Sequence, residues 1–149
     1  MTVERTAKVK WTGDLIRGAG NLHFNSGAIG DSPVTWASRT ETPGGKTSPE
    51  ELLAAAHASC FSMALSAGLA RAKTPPKELE VTATCVLDKV ENAFRITEMR
   101  LEVAGVVPGA TDESFQQQAE TAEKGCPISN ALEGNVKISL KAALVSSQF

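Results

Sequence analysis

Apolar and polar positions along the chain change rhythm several times, and each change marks an element. Between residue 5 and about residue 39 the apolar residues come in short alternating bursts, Ala7, Val9 and Trp11, then Leu22 and Phe24, separated by Gly13, Gly18, Gly20, Gly27 and Gly30. Bursts of period two broken by glycines predict short antiparallel strands and turns, the last strand running over residues 33–39. Turn chemistry in Glu41-Thr42-Pro43-Gly44-Gly45-Lys46-Thr47 predicts a loop.

A long helix is expected next. Ser48-Pro49-Glu50-Glu51 places a serine at the N-cap, proline at the first helical position and glutamate at the third, a capping box. No Asp, Glu, Lys or Arg occurs over residues 52–70, so the helix has no charged face and is expected to be buried on most sides. The run approaches the roughly 20 residues that span a bilayer. Ser59, Ser62, Ser66, His57 and many alanines make it only mildly apolar, and a central helix is the better reading. Arg71 and Lys73 suit its C-terminus, and Pro75-Pro76 ends it.

Leu79, Val81, Ala83, Cys85 and Leu87 then alternate with mostly polar residues, a strand with one buried face. A second strand is expected from about Phe94 to Val107, with a phase shift between Ile96 and Met99 of the kind a bulge produces. Asp112-Glu113-Ser114-Phe115 opens a helix that fails at Gly125, and Pro127 begins a short one ending near Gly134. Val136, Ile138, Leu140, Ala142 and Leu144 alternate in a last strand. The order predicts an α+β fold, mainly antiparallel sheet around a long central helix, as a single domain over residues 1–149. One sheet covers only one side of an uncharged helix, so a homodimer is expected to cover the rest.

Composition narrows the partners. With 15 basic and 17 acidic residues, a net charge of -2 and no run of like charge, neither nucleic acid nor an anionic membrane is expected as a partner. Met1-Thr2-Val3-Glu4-Arg5-Thr6 has no apolar stretch after a basic start, so no secretory signal is read and a cytoplasmic location is expected. The 3 cysteines have no metal-ligand spacing; neither a zinc site nor a disulfide framework nor any bound cofactor is expected.

Those cysteines carry the candidate chemistry. Cys85 falls on a buried strand face and reads as structural, whereas Cys60 lies deep in the uncharged helix and Cys126 sits between Gly125 and Pro127, where a helix begins. A reactive cysteine needs its pKa lowered from about 8.5. Cys60 is about three turns inside its helix, beyond the dipole's end effect, so it needs a cation from elsewhere. Arg39 is the candidate, with a solvated arginine as the alternative. Glu51 reads as a capping residue; Glu50 is either a first-turn acid or a site residue. His57, one turn before Cys60, admits a cysteine hydrolase or acyltransferase reading, though a packed core histidine is the simpler one. His23 reads as a strand-surface residue. A non-catalytic ligand-binding dimer whose cysteines merely pack remains a third alternative.

The run Thr47-Ser48-Pro49-Glu50-Glu51-Leu52-Leu53-Ala54-Ala55-Ala56-His57-Ala58-Ser59-Cys60-Phe61-Ser62-Met63-Ala64-Leu65, with Gly125-Cys126-Pro127-Ile128-Ser129 downstream and Trp11-Thr12-Gly13-Asp14 near the start, resembles the OsmC/Ohr family of osmotically inducible and organic hydroperoxide resistance proteins, the OsmC branch in particular. The resemblance implies an intertwined homodimer and a thiol-dependent peroxidase. Cys60 matches the peroxidatic cysteine and Cys126 the resolving one. Arg39 matches the arginine before the helix and Glu50 the glutamate after the proline. In the Ohr branch the arginine comes from an earlier segment, where Arg17 is the nearest candidate. The implied substrates are organic hydroperoxides and, more weakly, hydrogen peroxide, with a small dithiol or lipoylated protein as external reductant. Glu50 precedes Cys60 by ten residues, about 15 Å of helical rise. Direct contact within one helix is thereby excluded: either Arg39 bridges the distance, oriented by Glu50, or the glutamate acts on the cysteine of a partner subunit. An arginine held by the glutamate, with a site at the dimer interface, is the favoured reading.

Overall fold

A computed structural model of the chain describes residues 1–146; Ser147, Gln148 and Phe149, the end of the expected single domain, lie outside the described residues. Its contacts gather into two units, residues 1–52 and 53–149, with the boundary inside the long helix.

In the first unit β1 (Ala7–Thr12), β2 (Ala19–Phe24) and β3 (Ser32–Val34) form an antiparallel sheet in that order. Gly20 is where β2 faces its neighbours closely: a Cβ there would stand 2.9 Å from Val34 and 3.0 Å from the Trp11 ring. The strand expected over residues 33–39 is cut short. It stops at Val34, and α1 (Trp36–Thr40) follows, capped by Thr35. Local hydroxyl chemistry wins over the alternating pattern: the Ser38 N–H donates to Thr35 Oγ1 and the Thr35 N–H to Ser38 Oγ, both at 3.0 Å. Such reciprocal bonds satisfy N–H groups that a helix start otherwise leaves orphaned.

The long helix is α2 (Pro49–Arg71). Half of the expected capping box forms: the Glu51 N–H donates to Ser48 Oγ at 3.1 Å, but the Glu51 carboxylate accepts from Thr47 Oγ1 instead of returning to the cap. At the other end Lys73 takes φ 61° and the Thr74 N–H reaches back to the Leu69 carbonyl at 2.9 Å, a Schellman-type stop ahead of Pro75.

In the second unit β4 (Glu78–Val90) and β5 (Ala93–Val106) form a long antiparallel hairpin, and β6 (Lys137–Leu144) pairs parallel with β5 after α3 (Asp112–Gly125) and α4 (Pro127–Leu132) have carried the chain across. The expected bulge is present: Val86 faces Glu98 and Leu87 faces Ile96, leaving Thr97 without a partner in the register. One face of this sheet buries Met99, Leu101 and Val103. Leu101 and Val103 pack with Phe61, Leu65 and Leu69 of α2 and with Phe115, Ala119 and Ala122 of α3. Gly105 permits the closest approach, since a Cβ there would stand 2.6 Å from the Phe115 ring.

His57, Phe61, Leu65 and Leu69, spaced by four, form a fully buried stripe along α2, while Met63 on another face is 68% exposed. The single chain therefore covers one stripe of the helix, not most of its circumference as its lack of charge predicts.

Candidate active site

Two constellations contain the predicted residues, one in each unit. The first is built around α1. Ser38 Oγ donates to the Thr47 carbonyl at 2.8 Å, tying α1 to the residue just before α2. Arg39 and Glu50 follow these two anchor points. Arg39 Nε and Nη2 donate to Glu50 Oε1 at 2.9 and 2.8 Å, and Nε lies 3.2 Å from Oε2. Glu50 is 7% exposed, and the Arg39 guanidinium stands 5.8 Å from the Trp36 ring centroid. A charge-assisted, two-pronged pair of this kind fixes the plane of the guanidinium as well as its position. Arg39 also lines an apolar cavity of about 390 Å³ with Val9, Trp11, Leu22, Trp36 and Leu52. Arg17, the other candidate, is a surface residue paired with Asp14 at 3.0 Å.

The second constellation lies between α2 and α4. Cys60 and Cys126 are both outside any disulfide, and the Cys126 thiol is near enough to act on the Cys60 thiol. Cys126 is fully buried and belongs to the core that Cys60 packs against. Burial pushes the Cys60 thiol up from its ordinary value, the Cys126 thiol adds to the rise, and the backbone N–H of Ile128 pulls it back down. Pro127 has no N–H, so Ile128 supplies the first helical N–H of α4. It serves Cys60, while the Cys126 side chain makes no capping bond to the helix it starts. A helix-start N–H thus acts on Cys60 from a different helix. Even so, within its own unit Cys60 is held toward the neutral thiol.

His57 is buried completely, and its Nε2 stands 2.7 Å from Ser129 Oγ, a residue itself 2% exposed. Nδ1 has no hydrogen-bond partner among the described residues. The imidazole is thereby engaged with Ser129, and the structure shows no hydrogen bond from it to Cys60 of the kind that a Cys60–His57 hydrolase would use. Cys85 faces Met99 across the hairpin. His23 lies on the exposed face of β2, 3.0 Å from Asp31. Two groups, the Ile128 N–H and Ser129, join the site without having been singled out from the sequence; the proline before Ile128 is the only local sign of the first.

Burial holds the His57 pKa below its ordinary 6.5, because a second N–H would have no acceptor. As pH falls below about 6.5 the unfolded chain takes up this proton before the folded one does, so folding stability declines until the folded pKa is passed. Thermal unfolding of parent and His57→Gln from about pH 8 to about pH 5 should show the parent losing the larger share of its melting temperature.

The family model described as OsmC-like protein matches residues 42–141, a stretch holding Glu50, Cys60 and Cys126. Peroxiredoxin OsmC of Escherichia coli is 38% identical over 138 residues, 93% of this chain and 96% of its own. An organic hydroperoxide resistance protein of Xanthomonas axonopodis is 33% identical over 67% of this chain and 69% of its own. Among solved structures, the organic hydroperoxide resistance protein OhrB of Bacillus subtilis superposes with a TM-score of 0.74 at 27% identity, covering 93% of this chain and 98% of that one. With its long helix, its hairpin and both Cys60 and Cys126 inside the matched stretch, the chain belongs to the OsmC-like family.

Proposed function

We propose that the protein is a thiol-dependent peroxidase that reduces organic hydroperoxides, and hydrogen peroxide more weakly, with Cys60 as the peroxidatic and Cys126 as the resolving cysteine. The observation that carries this reading is that the fold brings two free thiols, 66 positions apart in the sequence, into one packed cluster, where the Cys126 thiol and the Ile128 N–H both act on Cys60. A core-filling cysteine requires none of this. The names of the relatives, peroxiredoxin and organic hydroperoxide resistance protein, point the same way.

In the first step the Cys60 thiolate attacks the distal peroxide oxygen. The O–O bond breaks, the departing alkoxide takes a proton and leaves as an alcohol, and Cys60 becomes a sulfenic acid. Cys126 then attacks that sulfur, forming the Cys60–Cys126 disulfide and releasing water. An external dithiol, a small molecule or a lipoylated protein, returns both cysteines to thiols. Arg39, oriented by Glu50, supplies the cation that the raised Cys60 pKa demands, and a homodimer completes the site. Support for the dimer comes from α2, covered along only one stripe, and from exposed Val9, Leu15 and Ile16 in the first unit.

Adding one equivalent of cumene hydroperoxide to reduced protein, quenching and mapping disulfides by mass spectrometry should give a Cys60–Cys126 bond. Recovery of Cys60 as an unmodified thiol refutes the peroxidase.

A further inference from the structure

The α4 helix is only six residues long, yet it brings both Cys126 and the Ile128 N–H to Cys60. A helix this short has little stability of its own, so its placement depends on what ties it down. The hydrogen bond between His57 Nε2 and Ser129 Oγ is a tie of the right kind: it joins α2 to α4 at 2.7 Å across 72 positions of sequence. It also runs beside the thiols. His57 precedes Cys60 by three residues on α2 and Ser129 follows Cys126 by three, so the bond stands about one helical turn from each sulfur-bearing residue. A buried imidazole that leaves Nδ1 unpartnered among the described residues is an expensive way to fill a core position that leucine would fill more cheaply. Such a cost calls for a return, and the return is placement of the resolving cysteine.

We infer that His57 and Ser129 are positioning residues for disulfide formation, a latch that holds α4 so that Cys126 sulfur meets Cys60 sulfur. The inference rests on the peroxidase reading. In the step concerned, the Cys126 thiol loses its proton, its sulfur bonds to the Cys60 sulfur, and the S–O bond of the sulfenic acid breaks to release water. An S–S bond tolerates little error in Cβ separation, about 3.5–4.5 Å, and a misplacement of about 1 Å can cost a hundredfold in an intramolecular step. Loss of the latch deprives the first step of one N–H but deprives the second of its reactant's alignment. The second step is therefore the sensitive one.

Ser129→Ala breaks the bond, and Ser129→Thr keeps the hydroxyl while its added methyl group has a neighbouring cavity of about 190 Å³ to enter. After one equivalent of cumene hydroperoxide, rapid quenching and mass spectrometry give separate rates for loss of the Cys60 thiol and for appearance of the disulfide. Ser129→Ala should slow the disulfide step about tenfold and the thiol-loss step less than about threefold, with threonine restoring the disulfide step to within about twofold of the parent. His57→Leu should reproduce the alanine result, and the double variant should be no slower than either single one, because both remove the same bond. An unchanged disulfide rate in Ser129→Ala, equal slowing of both steps, or a threonine variant no better than alanine overturns the latch. His57→Leu supplies the same split if Ser129→Ala does not fold. Oxidised glutathione separates this inference from the one beneath it: a mixed disulfide on Cys60 is resolved by Cys126 with release of glutathione and no peroxide. If cumene hydroperoxide leaves Cys60 untouched while Ser129→Ala still slows that exchange, the peroxidase falls and the latch stands.

Discussion

Cys60→Ser protein should consume cumene hydroperoxide roughly a thousandfold more slowly than the parent, and its circular dichroism should be unchanged. Oxygen for sulfur is a small change of volume at a half-buried position, so the helix and its buried stripe persist. The chemistry does not. A serine hydroxyl ionises far above neutrality and is a hard, poorly polarisable nucleophile toward peroxide oxygen, whereas a thiolate is soft and accessible near neutral pH. The comparison also separates the competing readings: a ligand-binding dimer whose cysteines merely pack would keep its function in cells with serine at this position. Retention of more than about a tenth of the parent rate would exclude Cys60 as the peroxidatic residue.

Removing the cation should cost nearly as much. Arg39→Met is expected to lower the peroxide step about a hundredfold at neutral pH and to move the rise of activity with pH to higher values. The sign follows from the thiol's surroundings: burial and the Cys126 thiol already hold Cys60 above its ordinary pKa, and without a cation less thiolate exists at any given pH. Glu50→Ala should fall between Arg39→Met and the parent, since the charge survives but loses the two-pronged bond at 2.8 and 2.9 Å that orients it. Arg39→Lys should resemble Glu50→Ala for the same reason, a point charge in place of a planar fork. Rates measured across pH decide the matter. An Arg39→Met profile that coincides with the parent's would mean that the arginine serves only the packing of its own unit.

Much of this architecture is legible in the sequence wherever the signal is local. Ser48-Pro49 and the uncharged run after it mark α2, the phase shift between Ile96 and Met99 marks the bulge, and Gly125-Cys126-Pro127 marks the break between α3 and α4. The short helix carrying Arg39 is missed because Val34 and Trp36 alternate as a strand would. The overriding signal is subtler, two hydroxyls three residues apart at Thr35 and Ser38 that cap each other. Pairing of Arg39 with Glu50 is expected only through the family resemblance and the ten residues that separate Glu50 from Cys60, since an arginine before a loop reads equally as a solvated one. His57 and Ser129 lie 72 positions apart, and only the folded chain brings them together. The Ile128 N–H is hidden for another reason: backbone donors have no letter in the sequence, and which sulfur one serves depends on tertiary geometry.

Gly105 has no functional group, yet it bears on the redox chemistry. With a Cβ at that position 2.6 Å from the Phe115 ring, even alanine would push the start of α3 away from the sheet or rotate the ring out of the core. The helix is a rigid rod, and Cys126 is fixed to its far end. A displacement of a few tenths of an ångström at Phe115 would be carried along that rod to the resolving sulfur. Tolerance to substitution at position 105 is thus a gauge of how much play the two thiols allow each other.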